Sequence, residues 1–457
     1  MAIIGLVLRS DRPLTDNQGA DSQTASRPNI VFVMTDDLDA RSMKDLGGIR
    51  NVMGSNGITF KKAYVSYALC CPSRVTFFRG QYAHNHSIIS GKSRLGEPRF
   101  RQLGLDQSTI VKWLDRAGYQ TKYLGKYVNG YKGSYVPPGW DEWYAFVDPA
   151  DNNVVNDNGQ EVTLTGNSTD VFAEEASDFI RRSSANPDPF FVMVGTRAPH
   201  RPGEVPERYQ NSFANASLPK PPNFDEPDVS DKPQWVQSYP RLTQTQIDKL
   251  QQEYRDRLRS MLPVEDLLEQ TIAALQETGE LDNTYIFFTS DNGFHLGNHR
   301  LAPGGKRTPY EEDIMVPLMV RGPGVPAGAV RQQLVVNTDL APTLADLAGA
   351  SIPAFVDGRS FAPLLTTTPP SSWRTAFLQE GWGEESATPT NTGVRTRRYM
   401  FVEYETGERE LYDLALDPYQ LESKPQAGNE QLYTTLGNRL AKLKTCAAAT
   451  CLTAEGP

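Results

Sequence analysis

The chain has 457 residues, 39% of them hydrophobic, and a formal charge of −9 from 46 basic and 55 acidic side chains. That length allows one large core, or a large core plus a small one. The acidic balance excludes a general nucleic-acid binder, whose phosphate contacts need a basic surface, and no run reaches the ~18 apolar residues of a transmembrane segment.

The first ten residues, MAIIGLVLRS, hold a short apolar core with no basic residue before it, in the manner of a remnant secretory signal. Residues 1–27 are otherwise polar and are expected to form a flexible lead-in. From Pro28 onward apolar runs, turns and amphipathic stretches alternate. Asn29–Asp37 (NIVFVMTDD), Pro189–Thr196 (PFFVMVGT), Thr284–Gly293 (TYIFFTSDNG) and Val316–Gly324 (VPLMVRGPG) are short and nearly continuous in apolar residues. Strands buried on both faces of a parallel sheet have this pattern.

Helices are expected between these runs at Thr109–Gly118, Thr169–Ser183 and Thr245–Gly279, with Pro263 starting or kinking a helix in the last. Another is expected at Thr338–Gly349, capped by Thr338 or Asp339. The Pro- and Asp-rich stretch Asn211–Tyr239 reads as an extended surface loop. Past Leu365 the character changes. Arg397–Leu414 alternates like a hairpin with Thr406-Gly407 at its turn, and Gln431–Cys446 has a helical pattern. The fold class implied is α/β: a large mixed, mostly parallel sheet sandwiched by helices over residues 28–365, then a small α+β subdomain over 366–457.

Two of the apolar strands end in acidic corners, Asp36-Asp37 and Asp291-Asn292. Sites in open parallel sheets lie beyond the carboxyl ends of the strands, so these corners would bring three carboxylates and an amide oxygen together. An all-oxygen set suits a hard cation, calcium or in its place magnesium. The five histidines, His84, His86, His200, His295 and His299, sit outside helical core patterns. HLGNH has the spacing of a zinc helix but lacks its glutamate. Neither G-x-S-x-G nor a P-loop sequence occurs. Of the four cysteines, Cys446 and Cys451 are spaced for a local disulfide in an oxidising compartment. Asn85, Asn167 and Asn215 head N-x-S/T sequons.

The other two cysteines open Cys70–Arg74, CCPSR, which matches the C-x-P-S-R signature of the type I, formylglycine-dependent sulfatases. The chain resembles that family from about Pro28 to Leu452, and within it the glucosamine-6-sulfatase, extracellular endosulfatase and arylsulfatase branch. ALCCPSR with HNH, GKYVNGYKGSYVPPGWDEW, NTYIFFTSDNGFHLG and TCAAATC carry the likeness. It implies an alkaline-phosphatase-like fold and conversion of Cys70, not Cys71, to formylglycine by a formylglycine-generating enzyme. It also implies a calcium site of Asp36, Asp37, Asp291, Asn292 and position 70. One hydroxyl of the aldehyde hydrate would attack sulfur, and the other would let the aldehyde reform and expel sulfate.

By the same resemblance Arg74 would hold the formylglycine hydroxyl and metal shell, and Lys126 would bridge formylglycine and sulfate. His200 and Lys306 would bind sulfate and the leaving oxygen, with His200 protonating the alcohol. The helix expected after Cys70, with Pro72 in its first turn, would turn its positive end to the sulfate. His84, His86, Asn129, His295 and His299 would lie on the substrate side, His84 or His86 taking the proton that collapses the hydrate. Two features depart from the common pattern. Val128 stands where many arylsulfatases have histidine, with Asn129 matching the glucosamine-6-sulfatase branch, and the signature's tail is Phe78-Arg79-Gly80. The implied substrate is a sulfated sugar, 6-O-sulfated N-acetylglucosamine, or an aryl sulfate. The implied location is extracytoplasmic: secreted, periplasmic or lysosome-like. The alternative is a phosphodiester or phosphonate hydrolase on the same scaffold.

Overall fold

Successive residues of the first strand, β1 (Asn29–Thr35), are buried in two different cores. Ile30, Phe32 and Met34 join one, Val31 and Val33 the other. A strand alternates its side chains between faces, so a continuous apolar run means a sheet covered on both sides. The computed structural model describes residues 27–148, 151–301, 303–383 and 386–457. Apart from Arg27, the remnant signal and lead-in expected at 1–27 lie outside the described residues.

After β1 come β2 (Ile58–Phe60), β3 (Ala63–Tyr64), β4 (Gln120–Gly125), β5 (Glu142–Asp148), β6 (Asp151–Asp157), β7 (Gln160–Thr163) and β8 (Phe190–Gly195). Then follow β9 (Thr284–Ser290), β10 (Leu318–Arg321), β11 (Ala329–Arg331) and β12 (Val335–Val336). Ten of these strands form one sheet in the order β11-β2-β10-β9-β1-β8-β4-β5-β6-β7, and β12 pairs with β3. The middle, from β9 to β5, is parallel. Phe77 of the helix Cys70–Arg79, Trp113 of Ile110–Arg116 and Leu344 of Leu340–Leu347 cover one face. Phe172 of Ser168–Ser183, Leu258 of Gln244–Ser260 and Leu268 of Leu262–Glu277 cover the other. Pro263 falls in the first turn of the last of these helices, where a missing amide costs nothing.

Three expectations need correction. The run Val316–Gly324 holds β10, which is antiparallel to both β9 and β2. Among the described residues between β9 and β10 the only helix is the short Glu311–Ile314, too little for the crossover a parallel neighbour requires. Asp339 occupies the N-cap position of Leu340–Leu347 but caps nothing there. Its carboxylate accepts from the amides of Val336 and Arg359 and pairs with buried Arg374. Finally, Asn211–Tyr239 is not merely a surface loop. Leu218, Asn223, Glu226, Val229, Lys232 and Trp235 are buried, because apolar residues spaced among the prolines plug it onto the core.

The C-terminal part is an antiparallel sheet, β13 (Ala376–Gly381), β14 (Asn391–Thr396), β15 (Tyr399–Tyr404) and β16 (Arg409–Asp413), in that order. β15 and β16 form the hairpin expected around Thr406-Gly407. Helices Glu430–Leu443 and Ala449–Glu455 pack beside it, and Cys446 in the link between them is disulfide-bonded to Cys451 in the second. Among the described residues no helix is long and apolar enough to cross a membrane.

Candidate active site

Four neighbouring parallel strands deliver their next residues to one place. The register pairs Thr35 of β1 with Ser290 of β9 and Met34 with Gly195 of β8, and Gly195 in turn with Gly125 of β4. Asp36 and Asp37, Asp291 and Asn292, the 196–200 segment and Lys126 therefore leave the same edge. Two glycines make the crowding tolerable. Gly125 has φ +92°, and a Cβ there would come within 2.2 Å of the Gly195 carbonyl oxygen. A Cβ at Gly195 would meet the Lys126 carbonyl oxygen at 2.5 Å and Arg74 Nη1 at 3.1 Å. Asp37 is itself left-handed, at φ +72°, a strained position that its surroundings must hold.

The helix Cys70–Arg79 points its first turn at this edge, with no side-chain cap on it. Asp36, Asp37, Cys70 and Asp291 each place a ligand-type atom within 4.8 Å of the others, and Asp36, Cys70 and His200 do the same. Every carboxylate here has a cation. Lys126 Nζ bonds Asp36, Lys306 Nζ bonds both Asp37 and Cys70 Sγ, and Arg74 Nε donates to Asp291 at 2.8 Å. Arg74 Nη1 also donates to the Lys126 carbonyl at 2.7 Å, tying helix to strand. His200 donates Nδ1–H to the Arg201 carbonyl at 2.6 Å, leaving Nε2 3.8 Å from Asp37 Oδ2. His200 keeps 35% of its side chain exposed and Lys306 12%, against 1% for Asp36 and 0% for Asp291. His200 and Lys306 thus lie on the solvent side of the cluster.

These neighbours set the charges. Burial alone would raise Asp36, but Lys126, His200, Lys306 and Arg74 hold it well below the usual carboxylate range. Burial and the adjacent Asp36 push Asp291 up to about 6 despite Arg74. Asp36 draws a proton toward His200, yet burial together with Lys126 and Lys306 outweighs the aspartates and lowers it. Burial, with Asp36 and Asp291 beside it, pushes the Cys70 thiol far up, so the unmodified thiol is a poor nucleophile.

The donor set fits a hard divalent cation. Asp36 Oδ1 and Asn292 Oδ1 are buried acceptors with no hydrogen-bond partner, while Asn292 Nδ2 ties the second corner to the first by donating to Asp37 Oδ1 at 2.7 Å. Buried acceptors are rarely left unpaired without a reason, and oxygen ligands of this kind suit calcium or magnesium.

Other expected site residues have partners elsewhere. His84 donates from Nδ1 to Glu380 at 2.7 Å and from Nε2 to the Cys446 carbonyl at 2.9 Å. His86 accepts the Ile88 amide at Nδ1 and meets the Thr76 hydroxyl at Nε2. Burial, with the charges of Arg79 and His84, lowers His86 to about 3. Both ring nitrogens of His84 and of His86 are thus engaged away from Asp36, Asp37 and Asp291. His299 likewise uses both nitrogens, on Glu226 at 2.6 Å and Asn223 at 3.1 Å, and stacks on Tyr310. Asn129 Nδ2 donates to the Gly91 carbonyl at 3.3 Å, and its Oδ1 is buried without a hydrogen-bond partner. His295 donates Nδ1–H to Asp313 at 2.9 Å.

Two residues that frame the site carry no sequence motif. Arg257, in the helix Gln244–Ser260, donates to the Asp37 and Pro199 carbonyls, and Asp313 anchors the segment holding Lys306. Their signal in the sequence is only a charged residue at a helix position facing inward.

Comparisons with known proteins bear on this arrangement. The profile of the family described as Sulfatase matches residues 28–350, and that described as N-sulphoglucosamine sulphohydrolase, C-terminal, matches 297–446. The N-acetylglucosamine-6-sulfatase of Capra hircus is 34% identical, over 93% of this chain and 85% of its own length. An arylsulfatase of Volvox carteri is 32% identical, over 93% and 76%. A solved structure described as a complex with its substrate D-glucosamine-2-N,6-O-disulfate superposes with a TM-score of 0.80 at 26% identity, over 92% of this chain and 97% of that one.

Proposed function

Since the chain belongs to the sulfatase family, related to its N-acetylglucosamine-6-sulfatase and arylsulfatase members, we propose that it cleaves sulfate esters with a formylglycine made from Cys70. The chain is a sulfatase-type hydrolase. The observation that carries the finer reading is the meeting of both acidic corners with Cys70, where two buried acceptor oxygens stay unpaired. Asp36, Asp37, Asp291 and Asn292 would hold a calcium ion, with magnesium as a substitute, beside position 70. When bound, the ion and the hydrated aldehyde together supply an oxygen nucleophile of lowered pKa.

The remaining work falls to side chains of this protein. Arg74 holds Asp291 and the Lys126 carbonyl, so it fixes the corner against which position 70 is set. Lys126 and Lys306 place two positive charges beside Cys70 and are aimed where sulfate oxygens would gain charge, which is electrostatic stabilisation arranged in advance. His200, locked through Nδ1, presents Nε2 on the open side and would pass a proton to the departing alcohol oxygen.

The substrate we propose is 6-O-sulfated N-acetylglucosamine in a glycan, with aryl sulfates as weaker alternatives. Support comes from the names of the relatives, one of which was solved with a 6-O-sulfated glucosamine. The paired Cys446 and Cys451 favour an extracytoplasmic location. The test is sulfate release by protein co-produced with a formylglycine-generating enzyme. After correction for leaving-group reactivity, kcat/KM should be higher on the 6-sulfated amino sugar than on 4-nitrophenyl sulfate. No sulfate release from either, with turnover of a phosphodiester instead, would replace this reading by the phosphoryl-hydrolase one.

A further inference from the structure

Lys306 reaches Asp37 and Cys70 from the segment between His295 and Asp313, whose described residues have no regular structure apart from two isolated bridges, Phe224 to Asn298 and His295 to Gly305, and the short helix Glu311–Ile314. A lysine on such a segment needs its backbone pinned on both sides if its ammonium group is to stay in place. Both pins are present, and both end on the same carboxylate.

One residue before Lys306, Gly305 pairs with His295 through two backbone hydrogen bonds, 2.8 Å and 3.0 Å long. The His295 ring lies against Gly305 so closely that a Cβ there would come within 3.3 Å of Nε2. That ring is fixed by Asp313, which accepts its Nδ1–H at 2.9 Å. Two residues after Lys306, Thr308 donates both its amide, at 2.9 Å, and its hydroxyl, at 2.6 Å, to Asp313 Oδ2. Asp313 is fully buried. Its main chain is held as well, its amide donating to the Tyr310 carbonyl and its carbonyl accepting the Gly293 amide, one residue beyond Asn292. Three donors converge on a carboxylate that touches none of the acids at Cys70.

We infer that Asp313 is the positioning residue for Lys306. It clamps the segment from both sides, through His295 and through Thr308, and so fixes the reach of the ammonium group to Asp37 and position 70. The inference rests on the sulfatase reading for its catalytic consequence but not for its geometry. His295 acquires a supporting role as well, since its Nδ1–H holds the clamp and its Nε2 edge fills the space over Gly305.

Asp313→Asn tests this, because an amide keeps the size but turns one acceptor into a donor facing Thr308 or His295. In a crystal structure of the variant, Lys306 Nζ should leave Asp37 while the strands and the acidic corners superpose on the parent. In kinetics kcat should fall by about a hundred-fold, the scale of a small misplacement of a catalytic group, with KM changed far less. On a Lys306→Ala background the same substitution should cost no more than about two-fold, since residues acting as one unit are non-additive. Lys306 unmoved in the crystal, or an undiminished loss on the Lys306→Ala background, would overturn the inference. If the parent released no sulfate, the functional reading would fall, and the crystallographic arm would still decide the role of Asp313. Should Asp313→Asn fail to fold, Thr308→Val removes one donor only and is expected to show the same dependence on Lys306 at smaller size.

Discussion

At the carboxyl ends of β1 and β9 three aspartates are buried beside Cys70, and two acceptor oxygens in that corner have no hydrogen-bond partner. At the junction with the C-terminal sheet another acid, Glu410, is just as buried, yet each of its oxygens is satisfied. Tyr310, at 2.9 Å, and Tyr412 donate to Oε1, and Tyr404 donates to Oε2. Burial raises Glu410 although the three phenols and Lys232 oppose it, and burial likewise keeps the phenols protonated. The first corner has a left-handed aspartate and relies in part on Lys306, whose side chain is partly open to solvent. The second is closed. A buried acid whose acceptors are all used is cement between two parts of a fold, whereas one with acceptors to spare is prepared for a ligand.

The contrast predicts opposite responses to mutation. Asp36→Asn keeps the size of the side chain but weakens any cation site, so kcat should fall about a thousand-fold or more and bound calcium should be lost by metal analysis. Some thermal stability should go with it, since buried Lys126 loses its counter-charge. Glu410→Ala should spare turnover instead. It strands three buried hydroxyls, for a loss of about 3 kcal/mol or more in urea denaturation, while kcat per folded molecule stays within about two-fold. Equal effects of both substitutions on stability and on turnover would erase the distinction.

Much of this was legible in the sequence because it is local. The runs NIVFVMT and TYIFFTS declare doubly covered strands, and the residues that follow them declare an acidic corner without knowledge of any partner. The fold and the meeting of Asp36, Asp37, Asp291 and Cys70 follow from parallel topology once those strands are neighbours. Pairings made across long stretches of chain were not legible. Nothing near His84 announces Glu380, almost three hundred residues on, nor does Asp313 announce His295 and Thr308 as a clamp. The direction of β10 depended on the absence of a crossover helix, which apolarity cannot show. Asn211–Tyr239 looked like a loop because prolines dominate it, while its few apolar residues decide its place.

His84 belongs to the structural side of the comparison and offers its mildest test. Both of its nitrogens face acceptors, Glu380 and the Cys446 carbonyl, so the ring is held in its charged form. Burial works against that charge, but Glu380, Cys446 and Asp357 raise His84 above its ordinary 6.5. A raised base stabilises the folded state fully below the unfolded value, and that contribution is lost as pH rises through the folded value. The stability difference between the parent and His84→Ala should therefore be largest below pH 6.5 and shrink toward alkaline pH. A difference that stays flat, or grows, from mildly acidic to alkaline pH would show that Glu380 and the Cys446 carbonyl do not hold the ring charged.

The proposed chemistry turns on position 70, where buried Cys70 lies beside Asp36, Asp37 and Asp291. The most direct measurement is the mass of the tryptic peptide ending at Arg74, taken from active protein co-produced with a formylglycine-generating enzyme. The predicted result is loss of sulfur at Cys70, with the neighbouring Cys71 still a thiol. An intact thiol at Cys70 in protein that turns over sulfate esters at full rate would contradict it.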